Sequence, residues 1–190
     1  MANITIFGKG NMGTAIGGLF EEAGNQVTYI GSQDDKKELG DIVVLAVMYP
    51  VVDSILEKYE GEFAGKVIVD ITNPVNFETF DGLVVPADSS AAQVIQDKVA
   101  DAKVIKAFNT TFGGTLSSKK VADTVPTTVL VAGEAEAKET FKAAFDGAGI
   151  DVIDAGELKR ARELEAFGFL QITLAAAEKI SWGGGFGILK

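Results

Sequence analysis

Cysteine and histidine are both missing from this 190-residue chain. Without cysteine there is no disulfide, no thiolate nucleophile and no Cys-ligated iron–sulfur cluster. Without either residue, structural Cys/His zinc, Ser-His-Asp machinery and an imidazole general base are excluded too. An enzyme made from this sequence must need no such groups, or take its chemistry from a cofactor. Positive charge is also scarce: 17 Lys and Arg stand against 27 Asp and Glu, a net charge of −10. An acidic surface repels phosphate backbones, so nucleic acid is not an expected partner. No long hydrophobic run is present. The longest nearly apolar stretch, Ala166 to Ala177, contains Gln171 and Thr173. It falls short of the roughly 20 residues of a spanning helix, so no membrane partner is expected. The opening Met1-Ala2-Asn3-Ile4 lacks the basic region and apolar run of an export signal, and the expectation is a cytoplasmic protein that binds no metal.

Short apolar runs recur at Ile4 to Phe7, Gln26 to Ile30, Ile42 to Val47, Val67 to Ile71, Val104 to Phe108, Thr127 to Val131 and Asp151 to Ile153. Most are rich in Val and Ile and continuously apolar, which marks strands buried on both faces. Helical segments are predicted between them at Met12 to Ala23, Val51 to Tyr59, Ala91 to Val99 and Ala135 to Ala148. This alternation predicts a Rossmann-type, doubly wound α/β fold, a mostly parallel sheet with helices on both faces. No linker or repeat divides the chain, so residues 1–190 are expected to form a single dinucleotide-binding domain. A last helix is predicted over 157–180, packing on that domain or on a partner in a homodimer. Its Phe167, Phe169, Leu170 and Leu174 suit the core better than a dimer seam. Phe112 to Lys120 is expected to be a loop, either a lid or ordinary surface.

Gly8-Lys9-Gly10-Asn11-Met12-Gly13 fits G-x-G-x-x-G. Alone the pattern is weak, but here it follows the first predicted strand and opens a helix, as a dinucleotide fingerprint requires. Gly8 permits the tight turn, Gly10 lets backbone approach a pyrophosphate, and Gly13 lets helix pack close to strand. Gly17, one turn on, extends the same face. The second strand ends Tyr29-Ile30-Gly31-Ser32-Gln33 with no carboxylate at its tip. An NAD site usually carries an acid there for the ribose 2′-OH. Small polar residues instead leave room for a 2′-phosphate, with Ser32 as donor and Lys36 or Lys37 as the charge. NADP is therefore expected over NAD, although Ser32 and Gln33 also suit an ordinary turn.

Together with Val44-Leu45-Ala46-Val47-Met48-Tyr49-Pro50, Val69-Asp70-Ile71-Thr72-Asn73-Pro74 and Val104-Ile105-Lys106-Ala107-Phe108-Asn109-Thr110, these segments resemble the NADP oxidoreductases dependent on the deazaflavin coenzyme F-420. The resemblance implies that Gly8, Lys9, Gly10, Asn11, Met12 and Gly13 bind the pyrophosphate, and that Gly31, Ser32 and Gln33 bind the 2′-phosphate. It implies that Ala46, Val47 and Tyr49 flank the adenosine and ribose. It brings Asn73, Pro74, Ala107, Phe108 and Asn109 to the nicotinamide end. Asn-Pro and Asn-Thr also open and cap ordinary turns. Gln33 stands where the family commonly has Arg, which removes a bidentate partner for the 2′-phosphate.

The implied activity is hydride transfer between NADP(H) and a deazaflavin or flavin-like small-molecule acceptor. Such chemistry rests on alignment more than on proton transfer and suits a chain without His or Cys. No catalytic residue is assigned. Two alternatives stand beside it: a nucleotide-binding or sensing protein without turnover, and a small imine or ketone reductase built on the same module.

Overall fold

A computed structural model describes residues 1–190. The chain opens with β1 (Asn3–Phe7), α1 (Asn11–Glu22), β2 (Gln26–Ile30) and β3 (Ile42–Leu45). A 3-10 turn at Tyr49–Val51 leads into α2 (Val52–Lys58), then β4 (Val67–Asp70), α3 (Ala91–Lys98) and β5 (Lys103–Lys106). After α4 (Gly113–Ser118) come β6 (Lys120–Val121), β7 (Val125–Pro126), β8 (Thr128–Gly133), α5 (Ala135–Phe145) and β9 (Asp151–Gly156). A second 3-10 turn, Leu158–Arg160, precedes α6 (Ala161–Ala176).

Seven strands form one sheet in the order β2-β1-β3-β4-β5-β8-β9. All neighbours are parallel except β5 and β8, where Ile105 faces Gly133 and Lys106 faces Ala132. The chain winds outward from β1 to β2 and then returns to the other side of β1. Strand order therefore reverses between β1 and β3, the place where open α/β sheets hold ligands beyond their carboxyl ends. This is the Rossmann-type fold the sequence predicts.

Alternation along the central strands divides the core. Ile4, Ile6, Ile42, Val44, Val67, Val69 and Ile105 face one cluster with Ile16, Phe20 and Phe141 from α1 and α5. Val43, Leu45, Ile68 and Val104 face the other, with Val52, Ile55, Ala92 and Ile95 from α2 and α3. β2 and β9 lie at the sheet edges and are only partly buried.

Several boundaries differ from the sequence reading, and each has a local cause. The third, fourth and fifth strands stop at Leu45, Asp70 and Lys106, so Val47, Ile71 and Phe108 belong to the following loops. Phe108 has left-handed backbone, φ 63°, which no strand accommodates. Phe112 to Lys120 is not a loop: most of it is α4, whose two leading glycines mask its helical character. Thr115 Oγ1 accepts from the Phe112 N–H, and α4 packs on α1. The last helix is shorter than 157–180, and its buried face is Ala161, Leu164, Glu165, Gly168, Gln171 and Ala175. Phe167, Phe169 and Leu174 are only partly covered and Leu170 is half exposed, so these four do not form core. Small and polar residues replace them inward because α6 sits on a polar layer described below. No helix is long and apolar enough to cross a membrane.

Candidate functional site

The glycine loop joins β1 to α1, and its geometry permits no side chain at two positions. Gly8 has φ 107°, and a Cβ there would lie 2.2 Å from the Ala46 carbonyl oxygen at the end of β3. A Cβ on Gly13 would lie 2.3 Å from the Gly8 carbonyl oxygen. These contacts lock the loop against both strand ends. Gly10 differs: it has open space around it, and it is the N-cap of α1 with no side-chain hydrogen bond. No acidic residue occupies the first turn of α1. Its leading N–H groups and positive dipole end therefore remain available to an anion. Lys9 and Asn11 are exposed, and Met12 packs partly against the core. Gly17 takes the Tyr29 ring, whose hydroxyl would stand 1.9 Å from an added Cβ.

Beside this loop lies a cleft of about 720 Å³. The β1 end and loop supply Phe7, Gly8, Lys9 and Gly10, and the β2 end supplies Ile30, Gly31, Ser32, Gln33 and Asp34. Val47, Met48, Val51, Ser54, Ile55, Lys58 and Tyr59 form the opposite wall. Ser32 and Gln33 are exposed at its rim. Asp34 folds back so that its Oδ2 accepts from the Gly31 N–H at 3.0 Å and from Lys9 Nζ at 2.8 Å. These two bonds, the backbone one first, hold its carboxyl down to about 2. The acid thus neutralises Lys9 and braces the turn. Lys58 Nζ donates to the Asp34 carbonyl oxygen at 3.2 Å.

Lys36 is not among the cleft residues: it pairs with Glu62 and lies over the Tyr59 ring at 5.2 Å. Lys37 Nζ donates to the Tyr29 carbonyl oxygen and stands 3.6 Å from Asp34. With Lys9 paired to Asp34, the uncompensated positive charge at the cleft thus comes from Lys58. Lys58, at the far end of α2, carries no motif that would single it out in the sequence.

The remaining sequence-predicted residues gather at the carboxyl ends of β3, β4 and β5. Ala46 meets the glycine loop, Val47 lines the cleft, and Tyr49 is half buried at the head of its 3-10 turn. Burial first, then Asp53, Asp70 and Glu165, push the Tyr49 hydroxyl pKa upward. Asn73 and Asn109 form a reciprocal pair: Asn73 Nδ2 donates to the Asn109 carbonyl oxygen, and Asn109 Nδ2 to Asn73 Oδ1, each at 2.9 Å. Pro74 is buried beside Asn73 and Ala107 beneath Asn109. The Phe108 side chain points away, into the core, against Phe141 and Phe145 at ring distances of 5.6 and 5.5 Å. Only its main chain belongs to the loop.

Below these loops lies a charged cluster that no sequence motif brings together: Asp70 and Lys106 fall within two of the segments quoted above, Glu165 outside them. Lys106, Asp70 and Glu165 are 0%, 0% and 1% exposed. Lys106 Nζ donates to Asp70 Oδ2 at 2.8 Å, to Glu165 Oε1 at 2.8 Å and to the Thr72 carbonyl oxygen at 2.5 Å. Glu165 also accepts from the Ala91 and Ala92 N–H groups at the start of α3. Burial pushes its carboxyl pKa up, partly opposed by Lys106. Two buried oxygens nearby, Thr72 Oγ1 and Asn109 Oδ1, have no hydrogen-bond partner.

No protein-family model matches the sequence. The chain is 29% identical to the F420-dependent NADP reductase of Methanocaldococcus jannaschii over 164 residues, 82% of this chain and 72% of the relative. A crystal structure from Arthrobacter sp. FB24, described as that of a candidate F420-dependent NADP-reductase, superposes with a TM-score of 0.83. It is 24% identical, with both chains covered over their full length. The imine reductase of Myxococcus stipitatus in complex with NADP+ gives a TM-score of 0.66 at 17% identity, covering 93% of this chain and 63% of that one. At such identities the structural likenesses speak for a shared fold. The archaeal relative bears out the resemblance carried by the sequence motifs.

Proposed function

We propose that this relative of the F420-dependent NADP reductases is itself an NADP(H)-dependent oxidoreductase, passing hydride between nicotinamide and a deazaflavin or flavin-like acceptor. The observation that carries the reading is the uncapped start of α1 at Gly10, with clear space above it and a lysine-bearing cleft alongside. The residues present fit the nucleotide. Gly8 and Gly13 hold the loop in a shape that a Cβ at either would break against backbone oxygens, the space over Gly10 is open, and the α1 N–H groups suit a pyrophosphate. Gly31, Ser32 and Gln33 would hold the 2′-phosphate by backbone and hydroxyl donors, with Lys58 supplying charge and Lys9 joining it only by leaving Asp34. Lys36 would contribute only by leaving Glu62. Val47 and Tyr49 would flank the adenosine side.

Asn73, Pro74 and the main chain of Ala107 to Asn109 would face the nicotinamide. When bound, the nucleotide supplies the hydride. The protein's part is to align two rings and exclude water, which needs neither imidazole nor thiol.

The test begins with apo protein titrated with NADPH and NADH, followed by nicotinamide fluorescence. NADPH oxidation is then assayed with a deazaflavin, FMN and a ferric acceptor. Tight NADPH binding, weak NADH binding and oxidation by a ring acceptor are expected. The variant Ser32→Asp should erode the NADPH preference, and an unchanged ratio would remove Ser32 from the site. Binding without oxidation by any acceptor would make the protein a nucleotide-binding or sensing module. Turnover of imines or ketones without a flavin-like acceptor would favour that alternative chemistry.

A further inference from the structure

A lysine sealed from solvent between two carboxylates is an expensive way to hold a fold together. Desolvating three charged groups offsets most of their attraction, and apolar residues of similar volume commonly stabilise as well or better. What such a cluster supplies is geometry, because each bond has a direction and leaving one unmade is costly. The useful question is therefore what Lys106 fixes. Its three partners belong to three places: Asp70 ends β4, the Thr72 carbonyl begins the loop after β4, and Glu165 lies on α6. Asp70 Oδ1 also accepts from the Thr72 N–H at 2.8 Å, so that loop is gripped from both sides.

A second, uncharged layer repeats the connection. The Asn73–Asn109 pair joins the two loops, and Asn109 Nδ2 also donates to the Leu164 carbonyl oxygen of α6 at 2.8 Å. Gly168 lets α6 come this close: a Cβ there would lie 2.4 Å from Asn73 Oδ1 and 2.8 Å from the Asn109 carbonyl oxygen. Gln171 Nε2, one turn further on, donates to the Thr110 carbonyl oxygen at 3.2 Å. Between the layers the chain is held in an unfavourable shape. Asn109 N–H donates to the Ala107 carbonyl oxygen across Phe108, whose φ is 63°. A tight three-residue turn of that hand persists only where its surroundings over-determine it, and such turns concentrate at functional sites.

We propose that Lys106, with Asp70 and Glu165, is a positioning residue for hydride transfer: it clamps the Thr72–Pro74 loop and the Ala107–Asn109 turn onto α6, setting where the nicotinamide end of the site stands relative to the acceptor. This rests on the oxidoreductase reading above. No ligand touches Lys106; it acts through the two loops. The adenosine cleft lies on the far side of β3, and none of Lys106, Asp70 and Glu165 lines it.

The test uses the full chain with Glu165→Gln, which keeps an oxygen for the Ala91 and Ala92 amides but removes the charged partner of Lys106, and with Lys106→Met as a harsher second variant. Thermal melts show whether each is folded. NADPH affinity by fluorescence should stay within about twofold, while kcat with the deazaflavin or flavin acceptor falls about tenfold, the scale expected for a sub-ångström misplacement. The primary isotope effect with NADPH deuterated at the transferred position should rise as the chemical step becomes limiting. An unchanged kcat and isotope effect in folded Glu165→Gln would overturn the proposal. A parallel loss of NADPH affinity would also overturn it, since that is general destabilisation of the site. Amide hydrogen exchange separates this proposal from the reading it rests on. NADP+ should slow exchange over residues 72–75 and 107–111 in the wild type, and the variants should lose that protection. Should the wild type turn over no acceptor, the redox reading falls and exchange alone decides the clamp: protection retained in folded Glu165→Gln overturns it, protection lost supports it.

Discussion

At the scale of single residues, the two outer glycines of the loop and the middle one have different jobs, and substitution separates them. Gly8→Ala forces a side chain onto left-handed backbone 2.2 Å from the Ala46 carbonyl oxygen. It should cost roughly 2–3 kcal/mol in urea unfolding. Gly10→Ala meets no atom within 4 Å and should change stability by no more than about 0.5 kcal/mol. It should still weaken NADPH binding about tenfold by fluorescence titration, because the methyl group occupies the approach of the pyrophosphate. Asp34 offers a third readout. Its pKa is depressed to about 2 by the Gly31 N–H and Lys9, so its contribution to the turn is present above the ordinary 3.8 and lost as pH falls through about 2. The Gly31 amide resonance should report that midpoint, and Lys9→Met should move it upward.

At the scale of elements, the helices of one face are locked to the sheet by aromatic edges. Phe20 of α1 meets Phe141 and Phe145 of α5 at ring distances of 6.1 and 5.3 Å, and Phe108 closes the group from the loop after β5. Each such pair adds about 0.5–1.5 kcal/mol beyond burial. Phe141→Ala should therefore cost about 3–5 kcal/mol. It should also loosen the strained turn at Phe108, which depends on that packing; calorimetry and exchange at residues 107–111 check the two effects. On the other side, α6 shows why periodicity alone misplaces a helix. Its apolar flanks look like core, yet its buried stripe is Glu165, Gly168 and Gln171, because these meet the Asn73–Asn109 pair and the Lys106 cluster.

For the molecule as a whole, the buried cluster links stability to pH. Burial, with Asp70 nearby, raises the Glu165 pKa above its ordinary 4.5. The folded protein thus holds that proton more tightly than the unfolded chain does. Its contribution is fully present below 4.5 and is lost as pH rises through the raised value. In urea unfolding followed upward from pH 4.5, wild-type stability should fall relative to that of Glu165→Gln as pH rises. Parallel curves for the two proteins would mean that the Glu165 carboxyl does not titrate in this way.

The sequence by itself determined the architecture and the glycine loop between β1 and α1. Buried parallel strands demand apolar residues on both faces, and so tight a strand-to-helix turn demands glycine at Gly8 and Gly13, so both are written in residue type and spacing. The mostly parallel, doubly wound arrangement followed from the alternation of elements, whereas the strand order came from the folded chain. Lys58, Asp70, Lys106 and Glu165 were invisible as a group, for they are distant in sequence and each alone is an ordinary charged residue. Only the folded chain decides that Lys106 is buried and that Asp34 turns back on Lys9. The same holds for the small, polar face that α6 presents inward. Long-range partners, not local preference, set the protonation, orientation and burial of such groups, and those partners are chosen by tertiary contact.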